Sequence, residues 1–478
     1  MNLNKYELLF LLSISIERLG GGVLSSLPSL CLLDFSNLFN QNVDTIAIIL
    51  SAKSFGGMCG SLFSPLYFYY QPGFEKIKPV TVAGICMILT SILVVISPLT
   101  SNLTVLFAVI LLIFLFYGFL DLALQSMIIQ MWGAKNKLTR SLVHFYHGIW
   151  AIGSIVGPYV TMDFVVSEEE DIDEICDIES GNSTAISNYY HHQQLGDDGQ
   201  NEVPRVFWPW FITAVFWGVS GFLCIFMGVK GITTKISDKY QNISSQNGIS
   251  NPALEDKEVE VEKSAETENP QQKLSHSTYW HYELPLILCI FLAYSFAGGA
   301  EHWFIDFAYE YAVCIKSWST TLSSTLVSIF WAAFSISRFS GIILCKYIKP
   351  KSYITINFLT MLVAFILLCI FNQEDDSDTV LWIAAILLGA GNATMFANGI
   401  TLASEYFDVT RLYSISFGLG NFAGQMLVPI GATYLLTDTK FFFILGTLIC
   451  LAYAVPMGGL IFLGQYFRSR RWLRPEFC

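Results

Sequence analysis

Charge is scarce in this chain. Lys, Arg, Asp and Glu make up 13% of its 478 residues, about half the share of a soluble domain, which excludes an ordinary water-soluble fold. Basic blocks that could track a phosphate backbone are missing, and the net charge of −12 opposes one, so nucleic acid is not an expected partner. Most of the 11 cysteines lie inside apolar runs without metal-ligand spacing and read as small core residues. A set of nucleophile, base and oxyanion donors is lacking too, so neither an enzyme nor a resident metal or cofactor is expected.

What the chain has in abundance is apolar length. Hydrophobic residues make up 53% of it, with 38 Phe, and a helix needs about 20 apolar residues to cross a bilayer. Twelve runs qualify, near 7–30, 44–68, 79–98, 104–132, 141–166, 206–229, 283–310, 319–346, 353–371, 379–405, 412–436 and 441–466. The first is too long for a cleavable signal and is interrupted by Glu17-Arg18, so it is expected to remain as the first span. The fold class is therefore an all-α membrane protein of twelve transmembrane helices, with the bilayer as a partner.

Basic residues accumulate in loops on the cytoplasmic side. With the N-terminus inside, that side receives Lys5, Lys76, Lys78, Lys135, Lys137, Arg140, Lys349 and Arg468, and the opposite side little more than Arg205, Lys316 and Lys440. Both termini are expected in the cytoplasm of a plasma-membrane protein. The sequons at Asn102 and Asn182 then face outward, open to glycosylation. Cys176 and Cys314 share the outer side and could pair.

Two acidic polar stretches divide the chain. One is an outer loop at about 167–204, within an N-terminal six-helix bundle over 1–229; the other belongs to a cytoplasmic linker at 230–277, expected to be disordered. A second six-helix bundle and a basic tail occupy 278–478. The halves repeat at a constant offset of 271 residues: Arg140 with Arg411, Gly153 with Gly424, Pro158 with Pro429, Gly118 with Gly389, and Ile77-Lys78-Pro79 with Ile348-Lys349-Pro350. Parallel repeats of membrane helices place a binding site at their interface near the midplane.

Ionisable groups at membrane depth are costly and point to function or to pairing. At about 1.5 Å per residue, Glu17, Lys53 and Asp121 fall toward the middle of the first, second and fourth spans, with Arg18 beside Glu17. The four charges sum to zero, which fits two structural ion pairs. The functional reading assigns cation coupling to Asp121, with Gln125 one turn on, Lys53 and Glu17, because hard cations take oxygen ligands. The repeat counterpart of Asp121 is Asn392. Around it Thr394, Asn398, Asn421 and Gln425 add neutral donors and acceptors, and His144, His147, Trp150 and Trp331 add rings and imidazoles. Amides among aromatic faces suit a neutral polyhydroxylated solute; the competing reading is packing between helices. Glu301, counted from Leu284, is about 26 Å along its helix, so Glu301, His302, Asp306 and Glu310 are expected in an outer vestibule. Arg140, Arg338, Glu405, Asp408 and Arg411 fall at cytoplasmic helix ends and could form a cytoplasmic gate.

Several motifs carry a resemblance. Ala52-Lys53-Ser54-Phe55-Gly56, Gly118-Phe119-Leu120-Asp121 running to Met131-Trp132-Gly133, His144-Phe145, Arg338-Phe339-Ser340-Gly341 and Ser404-Glu405-Tyr406-Phe407-Asp408 resemble the branch of the major facilitator superfamily that holds the sodium-dependent glucose transporters and related fucose:proton symporters. The resemblance implies the major facilitator fold and cation-driven sugar uptake by alternating access, with the helix-four carboxylate at Asp121. The chain departs from the branch at Leu122 and Gln125 and lacks the helix-one Asp of the proton symporters, which favours Na+ over H+ as coupling ion. A monomeric hexose transporter is the leading expectation; a carrier for another small solute, or a sugar-binding sensor, are the alternatives.

Overall fold

The computed structural model of the chain describes residues 5–39, 41, 43–69, 78–132, 137–165, 204–231, 270–344, 347–371, 378–406, 411–432 and 439–469. Its helices are α1 (Lys5–Leu30), α2 (Leu32–Phe39), α3 (Val43–Tyr69), α4 (Pro79–Ile96), α5 (Leu103–Trp132), α6 (Lys137–Thr161) and α7 (Phe207–Val229), then α8 (Pro270–Ile305), α9 (Thr320–Leu344), α10 (Pro350–Phe371), α11 (Asp378–Asn392), α12 (Met395–Tyr406), α13 (Arg411–Ala432) and α14 (Thr439–Ser469). No strand occurs among the described residues. Ten candidate spans are long and apolar enough to cross a bilayer; α6 and α13, with 25 and 22 residues, also have the length. Their outward faces present Phe222, Ile370, Val455 and Phe462, all more than half exposed, as lipid requires and water would penalise.

Twelve spans result when α2 is taken as the continuation of α1, and α11 with α12 as one interrupted span. Pro79 and Pro350 stand at the first positions of α4 and α10, where the missing N–H costs no hydrogen bond. In the first half α1 packs on α6, α3 on α5, and α4 on α7; in the second α8 packs on α13, α9 on α11, and α10 on both α11 and α14. The duplicated glycines sit at these crossings. A Cβ on Gly118 would enter the Gly57 backbone of α3, and one on Gly389 the Phe330 backbone of α9. Gly153 and Gly424 press in the same way on α1 and α8, so the repeat preserves close helix approach. The halves meet through α3 with α13 and α6 with α9.

Two boundaries differ from the sequence expectation. Residues 270–277, assigned to a structureless linker, already belong to α8, and 232–269 lie outside the described residues, as does the acidic loop at 166–203. The tenth span, expected as one helix over 379–405, is interrupted at Ala393-Thr394. Below, the end of the molecule where α1 begins is the termini side and its opposite the far side.

Candidate functional site

A cavity of about 210 Å³ lies between the halves, far above the ~10–15 Å³ that one water needs. Arg18, Lys53 and Asp121 from the first half line it, with His147 and Trp150. The second half contributes Trp331, Asn392, Asn421 and Gln425. Of the residues singled out for cation or solute, the sequence thus brings eight to one cavity, with Arg18 beside them. Thr394 and Asn398 are buried nearby rather than lining it, and Gln125 is half-buried outside the lining. The side chain of His144 lies outside the described residues.

Arg18 organises the first half of the site. Its Nε is 3.1 Å from Glu17 Oε2 and its Nη1 2.9 Å from Asp121 Oδ1. The guanidinium lies over the Tyr146 ring at 4.1 Å and the Tyr117 ring at 5.6 Å, a favourable placement for a desolvated cation. Glu17 is wholly buried behind it, while the Asp121 carboxylate keeps 28% exposure toward the cavity.

The neutrality expected of Glu17, Arg18, Lys53 and Asp121 is not local. Lys53 turns away from that cluster: its Nζ donates to the Ser25 carbonyl at 3.0 Å and pairs with Asp306 Oδ1 of the second half at 3.6 Å. Asp306 Oδ2 also meets His302 Nδ1 at 2.8 Å. Two carboxylates therefore share one guanidinium around Arg18, and with both of them ionised that cluster carries one net negative charge.

Three residues expected in an outer vestibule, Glu301, His302 and Asp306, line the central cavity instead. The seventh span does not end at 310. After a break at Asp306-Phe307, the chain continues through a helical turn at Ala308–Glu310 and a π-helical turn at Tyr311–Ile315, which leaves Glu301 about 20 Å short of its far end. Glu310 is buried among these turns.

Arg338 is also displaced from expectation. Assigned to a cytoplasmic gate, it lines the cavity. Side chains on a helix lean toward its N-terminus, and α9 begins on the far side, so Arg338 reaches back from the termini-side end of α9 into the site. The interrupted span receives it: Arg338 Nε donates to the Ala393 carbonyl at 3.1 Å, and its guanidinium lies over Phe334 at 4.6 Å. The break is held from three other helices. Tyr294 Oη donates to the Met395 and Phe396 carbonyls, Asn357 Nδ2 to Thr394 Oγ1 at 2.7 Å, and Ser337 Oγ to the Ala390 carbonyl at 2.9 Å. Of the other gate residues, Glu405 is exposed, Asp408 lies outside the described residues, and so do the side chains of Arg140 and Arg411.

Trp150 and Trp331 meet edge to face across the halves at 5.3 Å. The indole N–H of Trp331 and the Nδ2 of Asn392, both buried, have no hydrogen-bond partner among the described residues. No cluster of three or more His, Cys, Asp or Glu suited to a metal occurs among the described residues. Asn102 is exposed, but its Oδ1 accepts from the N–H of Thr104 and Val105 at the start of α5; Asn182 lies outside the described residues. Cys314 is disulfide-bonded, and Cys176 lies outside the described residues.

Among known proteins, no family profile matches the chain. It is 21% identical over 402 residues to the mouse sodium-dependent glucose transporter 1A, covering 83% of this chain and 82% of the relative. The human sodium-dependent glucose transporter 1 is 21% identical over 408 residues, 83% of this chain and 67% of the relative. Among solved structures, the E. coli xylose transporter XylE in a partially occluded inward-open conformation superposes with a TM-score of 0.61 at 12% identity, over 94% of this chain and 98% of that one. The nucleoside transporter NupG gives 0.58 at 13% identity, over 95% and 99%. These relatives and neighbours are transporters rather than enzymes. The chain is a multi-pass membrane protein with the major facilitator fold, similar in sequence to the sodium-dependent glucose transporters.

Proposed function

We propose that this protein is a secondary active transporter of the plasma membrane that moves a hexose by alternating access, coupled to Na+ rather than to H+, with both termini in the cytoplasm. The observation that carries the coupling is the pair of carboxylates, Glu17 and Asp121, sharing the single guanidinium of Arg18. A net charge that must be enclosed when the cavity closes is expensive. A monovalent cation entering beside Asp121, the exposed member, brings the cluster to zero. Closure is then cheap when the cation is present and costly when it is absent, the condition for symport. Carboxylate oxygens suit Na+, and the names of the curated relatives support this ion. For the solute, the indole faces of Trp150 and Trp331 offer apolar cover, and Asn392, Asn421 and Gln425 offer hydroxyl partners.

The test is uptake of labelled glucose into vesicles holding the purified protein, under an inward Na+ gradient, an inward proton gradient and neither. Accumulation above equilibrium is expected with Na+ alone, and Asp121→Asn should abolish it while leaving sugar exchange between preloaded vesicles and medium. Accumulation without Na+, or its survival in Asp121→Asn, overturns the coupling. Absence of flux for every hexose overturns the sugar.

A further inference from the structure

Four carboxylates and three cationic side chains surround the cavity, and five of the seven are accounted for by ion pairs: Glu17 and Asp121 with Arg18, and Asp306 with Lys53. Glu301 and Arg338 remain. Both line the cavity, both come from the second half, and among the described residues neither closes an ion pair within 4.0 Å. They are nevertheless close enough to feel each other's charge. Both side chains are half-buried against the cavity, and a charge drawn partly out of water without a contact partner is costly, so the pair is open to a third participant from the cavity.

We propose that Glu301 and Arg338 form a clamp for the vicinal hydroxyls of the transported sugar, an assignment that rests on the sugar reading above. Three features of the pair fit that ligand. Its charges cancel, so it receives a neutral molecule without leaving a surplus; an anionic or cationic solute would strand one member. Its chemistry is divided: the carboxylate only accepts and the guanidinium only donates, and a diol offers both donors and acceptors. Its guanidinium is held in place before any ligand arrives, because the Ala393 carbonyl takes Nε–H and the Phe334 ring supports the plane, leaving the two terminal nitrogens as a planar fork. The unpartnered Nδ2 of Asn392, on a side chain only 5% exposed, and the indole N–H of Trp331 line the same cavity. They supply donors for the ring oxygen or a further hydroxyl.

The division of labour is spatial. The first half, with its two carboxylates on Arg18, takes the cation, and the second supplies the polar contacts to the sugar. Arg338 lies within electrostatic reach of both Glu301 and Asp121, so neutralising Asp121 with a cation leaves Arg338 more fully available to Glu301 and the sugar.

The experiment is a binding scan by tryptophan fluorescence in saturating Na+, with glucose and each monodeoxyglucose, on the unaltered protein, Glu301→Gln and Arg338→Gln. In the unaltered protein two deoxy analogues at adjacent ring positions should bind roughly tenfold or more weaker, as expected for lost charge-assisted bonds. Each variant should weaken glucose by a similar factor and lose nothing further with its own matching analogue. A variant that binds glucose normally, or weakens every analogue equally, overturns the clamp. So does an unaltered protein insensitive to any adjacent pair, a readout that does not depend on either variant folding. Tighter binding of a hexuronate than of glucose, lost in Arg338→Gln, overturns the diol in favour of a carboxylate. Failure of the unaltered protein to bind any sugar overturns the function proposed above, and the clamp with it.

Discussion

Helix α5 and the interrupted span α11–α12 occupy equivalent places in the two repeats, yet they solve the same problem differently. In the first half α5 runs unbroken for 30 residues and carries Asp121 toward the cavity, held by Arg18. In the second, the counterpart of that carboxylate is Asn392, and the helix breaks immediately after it. Where the first half places a charge, the second exposes main-chain carbonyls, and Arg338, Tyr294 and Ser337 come to meet them. Discontinuous helices at the midplane are a recurrent way to build a solute site, because irregular backbone is tolerated only where protein or a cavity receives it. Duplication kept the scaffold, and the chemistry diverged where both halves face the cavity: Asp121 against Asn392, and Trp150 against Asn421.

Four changes would break or sharpen this contrast. The largest effect is expected from Arg18→Gln, which strands the buried Glu17 carboxylate and the half-buried one of Asp121 and should cost about 3–5 kcal/mol, read as thermal unfolding in detergent. Adding Asp121→Asn should recover part of the loss, and an unchanged melting temperature in Arg18→Gln would mean that the cluster is not held electrostatically. Lys53→Met removes the tie between halves and should cost about 1.5–3 kcal/mol, the range of a bond to a charged group. The exchange Lys53→Asp with Asp306→Lys should restore more stability than either single change retains; if it restores none, the pair does not join the halves. Gly153→Val and Gly424→Val should each cost about 1–3 kcal/mol by forcing a side chain into a neighbouring backbone. A clear difference between them would show that the crossings are not equivalent, while Gly458→Ala, which meets open space, serves as the neutral control. The smallest effect is expected from Thr394→Val, about 1–2 kcal/mol for the bond from Asn357. It bears on the second half alone, and Asn357→Val combined with it should be milder than the sum of the two single changes.

The spans were readable because hydropathy sets their length and the crossings fix their glycines. Membership of the cavity was readable for Lys53, Asp121, Asn392 and Trp331, because polar and aromatic groups at membrane depth point inward. Pairing was not. Lys53 finds Asp306 in the other half, and nothing local in either stretch marks that partnership. Glu301 and Asp306 were misplaced because depth was counted from a hydropathy boundary along a span assumed to end at 310, whereas helical turns carry it to Ile315. Arg338 was misplaced because its Cα lies near a helix end, while its long side chain follows the lean of the helix back to the site. The break at Ala393-Thr394 has neither Gly nor Pro within it, so it left no signature; Arg338 and Ser337 of α9 meet carbonyls at the break, while Tyr294 of α8 and Asn357 of α10 brace the residues that follow.

That break also bears on how the protein enters the bilayer. The pieces α11 and α12 have 15 and 12 residues, about 22 and 18 Å of helix, and neither crosses about 30 Å of hydrocarbon alone. Membrane insertion must take them up as one stretch. Tyr294, Ser337, Arg338 and Asn357 all precede that stretch in the chain, so during synthesis the groups that will hold the break are already made when it emerges. The order of the chain lets the interrupted span arrive after its supports.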